Sequence, residues 1–129
     1  MFSPLSITLI YGEKDAVLVD PPLTIFATHG HGDHWFTGIP AERFGAGVVA
    51  SAGTIKQMHR NMSIPAAFWD KLFPGQIPPT PVTAVTAEGN RFALEAHELF
   101  IVEVGRSDTD DTSVLRVHDL RLVVAGASN

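Results

Sequence analysis

Thr28-His29-Gly30-His31-Gly32-Asp33-His34 gathers three of the chain's six histidines and an aspartate into one short run. Residues 23–28 lead straight into it and read as a short apolar strand. On an extended strand end, side chains two apart share a face, so His29 and His31 can point at one ion. The loop beyond can turn Asp33 and His34 toward a second ion beside the first. Gly30 and Gly32 permit tight turns and keep bulk away from the metals. The run therefore requires a fold in which a strand delivers its end to a ligand-bearing loop.

Imidazole and carboxylate ligands suit zinc first, with manganese, iron or cobalt as alternatives. Two such ions about 3.5–4 Å apart hold a bridging hydroxide and polarise a carbonyl or phosphoryl group. The competing reading is a histidine-rich loop that binds no metal; the spacing, the glycines and the preceding strand favour the metal. The chain has no cysteine, which excludes disulfides and thiolate sites and leaves His, Asp and Glu as strong ligands.

The rest of the chain fits one domain, residues 1–129, of mixed α and β content. Residues 5–11 and 16–19 flank the polar turn Gly12-Glu13-Lys14-Asp15 and read as a β-hairpin. Asp20-Pro21-Pro22 stops its second arm. Residues 48–50 form a short buried strand, and Ser51 can cap a helix over 53–62. Ile64-Pro65 starts a second helix that ends near Pro74-Gly75. From Val82 the pattern is all strand: 82–86, 91–95, 99–104, 113–117 and 120–125. A net charge of −5 with scattered basic residues argues against a nucleic-acid partner. No apolar run reaches transmembrane length and the first residues lack a cationic start, so no membrane association and a cytoplasmic location are expected.

Residues 28–38, THGHGDHWFTG, resemble the HxHxDH signature of the metallo-β-lactamase superfamily. The likeness runs along the whole chain. Ala16-Val-Leu-Val-Asp20 resembles the strand ending in aspartate before the motif, residues 104–112 the family's GHS-type loop, and residues 122–126 the strand leading to its bridging aspartate. The resemblance implies an αββα sandwich and hydrolysis of lactams, lactones, thioesters or phosphoesters at one or two ions. It makes His29, His31, Asp33 and His34 the metal ligands and Asp33 the catalytic candidate.

Three positions depart from the pattern. Arg106 stands where the family has the third histidine of the first site, and a guanidinium has no lone pair for zinc. Ala127 replaces the aspartate that bridges the metals. The helix expected between Asp20 and the histidine strand is replaced by Pro21-Pro22-Leu23. The chain thus resembles the N-terminal half of such an enzyme: an α+β half-sandwich, mostly one sheet with helices on one face, completed by a second copy. Four ligands divide between two sites, or gather on a single ion.

Asp20 either holds a ligand histidine by its free ring nitrogen or ends its strand in an Asx-turn. Arg106 is expected to pair with an acidic neighbour such as Asp33 or Asp108. His59, His97 and His118 read as structural or exposed, and Trp35, Phe36, Phe68, Trp69 and Phe73 as core. An apolar sheet face without cover predicts a homodimer. The three-residue link spans at most about 11 Å, against about 16 Å needed to run back along a five-residue strand. Residues 1–20 are therefore expected to exchange between two copies. The functional alternatives are a metal-binding protein with weak or no hydrolase activity, a small-molecule hydrolase completed by a second chain, and a non-catalytic assembly module.

Overall fold

The computed structural model describes residues 8–19, 26–28, 30, 47–62, 71, 74–75, 84–107 and 109–126. The hairpin is there: β1, Thr8–Tyr11, pairs antiparallel with β2, Ala16–Val19, around a turn closed by Gly12 N donating to Asp15 O at 2.9 Å. Next come β3, Phe26–Ala27, β4, Val49–Ala50, and β5, Val85–Thr86, each parallel to its neighbour. These five form one sheet in chain order. Helix α1, Ala52–Met62, leaves the end of β4. Ser51 caps it as expected, its Oγ accepting the Thr54 N–H at 3.1 Å.

A 3-10 turn over Glu88–Asn90 then carries the chain to a second sheet, with Gly89 and Asn90 both at positive φ. This sheet is an antiparallel meander of β6, Arg91–Leu94, β7, His97–Gly105, β8, Thr112–Val117, and β9, Leu122–Val124. The α+β class stands, but the expectation of mostly one sheet is corrected. Short turns at Glu95-Ala96 and 118–121 keep the later strands with one another, and the turn after β5 breaks them from the first sheet.

Alternation along the strands assigns the faces. Phe26, Val17 and Val19 of the first sheet meet Leu99, Ile101, Leu115 and Val117 of the second in one core. Phe26 and Phe92 form a tilted pair across it, 6.4 Å between ring centres. Ala27 points the other way, with Val48, Ala50 and Ala84, onto Met58 and Ile55 of α1. The described residues thus make three layers: helix, mixed sheet, antiparallel sheet. Burying a side chain such as Phe26 or Leu115, both fully enclosed, contributes about 2–3 kcal/mol.

Two sequence arguments change here. Among the described residues, the inner face of the first sheet is covered by the second sheet of the same chain, which removes the bare face on which the dimer was argued. The hairpin docks on its own chain, with Val19 level with Phe26. The sequence argument assumed that β3 runs beside the whole of β2. Instead β3 begins where β2 ends, and the chain need only cross one strand spacing of about 4.8 Å. The distance that motivated exchange of residues 1–20 is therefore not required.

Candidate metal centre

His29, His31, Asp33 and His34 lie outside the described residues, as do Asp20, Asp108 and Ala127 and the aromatic residues from Trp35 to Phe73 named above. Their footing is described. β3 is the central strand of its sheet, and the Thr28 carbonyl at its end is enclosed by hydrogen bonds. It accepts from Ser113 N at 2.8 Å and from Ser113 Oγ at 3.0 Å on β8. Thr54 Oγ1 of α1 lies 3.3 Å from the same oxygen. Thr28, Ser51, Thr54, Thr112 and Ser113 are all buried. Buried hydroxyls must find partners: Ser51 Oγ donates to Thr54 Oγ1 at 3.0 Å, Thr54 and Ser113 reach the strand end, and Thr112 Oγ1 turns instead to Thr109. The root of the motif is thus bolted to the helix on one side and to the second sheet on the other.

One residue further on, the Gly30 carbonyl accepts from Asn61 Nδ2. A Cβ at Gly30 would stand 2.9 Å from the Gln57 carbonyl carbon and 3.0 Å from Met58 N. Helix backbone cannot yield as a side chain tip can, so only glycine lets the chain approach α1 this closely at residue 30.

The opposite wall is the loop between β7 and β8. β7 bulges between Glu103 and Gly105, and Gly105 takes φ +75°. Ser107 N then donates to Thr109 O at 3.0 Å, and Thr112 Oγ1 to the same oxygen at 3.1 Å, curling the loop back. Gln57 fastens it to the helix. With its amide nitrogen toward Thr109 Oγ1 at 2.8 Å, its oxygen accepts from Asp111 N at 3.0 Å and Asp110 N at 3.3 Å. The opposite orientation leaves one long contact to Asp111 Oδ2, at 3.4 Å, so the first is preferred. Gly53 admits this approach, since a Cβ there would meet Asp111 Cβ at 2.7 Å. Between helix and loop lies a cleft of about 300 Å³ that reaches Asn61, whose side chain holds Gly30.

Arg106 stands on the cleft wall. It pairs with Asp110, Nε to Oδ1 at 3.6 Å, with 87% of its side chain exposed. The pairing with an acidic loop neighbour is as expected, but the partner is Asp110; Asp33 and Asp108 lie outside the described residues. No group of three His, Cys, Asp or Glu side chains suited to a metal occurs among the described residues. His59, His97 and His118 do not converge: His97 and His118 lie at the turn end of the second sheet, where His97 Nδ1 meets Asp119 Oδ2 at 2.5 Å.

No protein-family model and no curated protein sequence matches the chain. Among solved structures, a metallo-β-lactamase from Pontibacter korlensis superposes on it with a TM-score of 0.62 and 19% identity, over 92% of this chain. The fold is that of a metallo-β-lactamase. At that identity the likeness concerns the fold alone, and the chain spans 63% of the length of the structure it matches. Among the described residues, the end of β3, helix α1 and the loop after β7 come together around Thr28 and Gln57. The donor set of the histidine run fits a divalent ion. Three imidazoles and a carboxylate are strong ligands, on a loop whose neighbouring glycine excludes side-chain bulk.

Sequence reasoning missed the buried hydroxyl cluster under the motif. Its signal was present in Ser51-x-x-Thr54 and Thr112-Ser113, polar pairs at the ends of apolar segments. No helix among the described residues is long and apolar enough to cross a membrane.

Proposed function

We propose that this chain is a metal-binding protein of the metallo-β-lactamase fold, with weak or no hydrolase activity on its own. His29, His31, Asp33 and His34 hold the ion, zinc in preference to manganese or iron, with Asp33 the catalytic candidate. The observation that carries this reading is the anchoring of Thr28 and Gly30, which brackets the first ligand between two fixed backbone points. A bound divalent ion would supply a Lewis acid and an activated water. The protein's own part is to hold the loop and to shape the cleft beside it. Arg106 and Ala127 argue for weak activity, because each stands where the resemblance expects a ligand.

The favoured location is the cytoplasm. A homodimer belongs to the reading too, its basis now the exposed Val102, Val104 and Val123 of the second sheet rather than an inner face. The second reading is a hydrolase completed by another chain. Protein loaded with zinc or manganese, tested on lactam, lactone, thioester and phosphodiester substrates, should turn over slowly or not at all. Rapid turnover by the isolated chain would overturn the reading, and a monomer in light scattering at micromolar concentration would remove the dimer.

A further inference from the structure

We propose that Asn61 is a positioning residue for the metal: its side-chain amide fixes the peptide that leads into His31, and so sets the affinity for the ion. This rests on the reading of His29, His31, Asp33 and His34 as ligands. The contacts that carry it join α1 to the segment on which those ligands stand.

Thr54, Gln57 and Asn61 stand at i, i+3 and i+7 of α1, a spacing that shares one helical face. Thr54 Oγ1 meets Thr28 O at 3.3 Å, and Gln57 holds the β7–β8 loop through Thr109, Asp110 and Asp111. Asn61 Nδ2 donates to Gly30 O. One polar stripe thus grips the strand end, the loop and the glycine beyond the strand. Gly30 is buried, and a buried carbonyl needs hydrogen bonds. A peptide unit is planar, so an oriented Gly30 carbonyl also orients the plane that holds the nitrogen of residue 31. The amide therefore acts one covalent unit from a proposed ligand.

Gly30 and Asn61 are two halves of one contact. A Cβ at Gly30 would stand 2.9 and 3.0 Å from helix backbone, so the bare glycine lets the chain close on α1 and the amide sets its direction. Helix stability does not call for asparagine in this last turn, because alanine and leucine are both better helix formers. Thr54 is fully buried, and its loss would open the core; Asn61 is half-buried and can be changed without that.

The test measures zinc affinity of the full chain by competition with a chelator, beside the melting temperature of the metal-free protein. Asn61→Ala and Asn61→Leu should each bind zinc about tenfold more weakly, the lower end of what is lost with groups that orient metal ligands. Their metal-free melting temperatures should equal or exceed the parent's. Val124→Ala, in the core on β9, should melt earlier and bind zinc as the parent does. Gly30→Ala should weaken zinc binding by itself, and adding Asn61→Ala to it should cost much less than tenfold. Zinc affinity that falls with melting temperature, as far in Val124→Ala as in Asn61→Ala, would make Asn61 merely structural and overturn the proposal. So would losses at 30 and 61 that simply add. A parent chain that binds no zinc would refute the metal reading and this proposal with it. Parent, Asn61→Ala and Asn61→Leu binding zinc equally would refute this proposal alone.

Discussion

Arg106 carries more of the functional argument than any other described residue. Its side chain is largely exposed, and its partner among the described residues is Asp110 in the same loop. A fixed positive charge disfavours a divalent ion nearby, though solvent screens it strongly at this exposure. Replacing it by histidine removes the charge at neutral pH and adds a lone pair. Arg106→His should therefore raise zinc affinity about tenfold or more, a step comparable with the effect of residues that merely orient ligands. Calorimetric titration of both proteins measures this. An unchanged affinity would mean that residue 106 does not face the metal loop. The candidate ligands His29, His31, Asp33 and His34 are read from residue type and spacing, and they lie outside the described residues. The enclosure of Thr28 was not legible in that way, because Ser113 and Thr54 come from distant parts of the chain and only the folded form joins them.

Element boundaries were largely legible, because each strand has an apolar alternating stretch and each turn a distinct residue set. What local pattern could not give was register. The staggered entry of β3 beside the end of β2 goes with the packing of Phe26 in the core. The contact between hairpins was equally hidden. Glu95, at φ +54° in the β6–β7 turn, accepts from Lys14 N at 2.6 Å and Asp15 N at 2.9 Å in the β1–β2 turn. Sequence reading placed Glu95 inside a strand; it forms the turn and ties one sheet to the other. These backbone donors hold its carboxyl below the usual carboxylate range. A depressed folded pKa means the contact stabilises above the ordinary carboxylate value and fades as pH falls through the lowered one. Melting temperatures of the parent and Glu95→Gln should therefore differ modestly at pH 7, and the gap should narrow as pH falls below the ordinary carboxylate range. A gap that widens on acidification would contradict the assignment.

At the scale of the whole molecule, helix, mixed sheet and antiparallel sheet make a cored unit, and the histidine loop issues from the middle of it. The half-sandwich was foreseen from the resemblance, while the two-sheet division followed from the turn at Glu88–Asn90. That turn's left-handed residues carry no strong sequence signal beyond Gly89. The central claim is that this scaffold presents a divalent metal site. Zinc titration of the metal-free chain, by calorimetry with the bound metal counted after dialysis, tests it most directly. The parent chain should retain at least one ion, His29→Ala and His31→Ala should lose it, and His97→Ala, altered at the far turn, should not. A parent chain that retains no zinc, or variants at 29 and 31 that retain as much as the parent, would contradict the account.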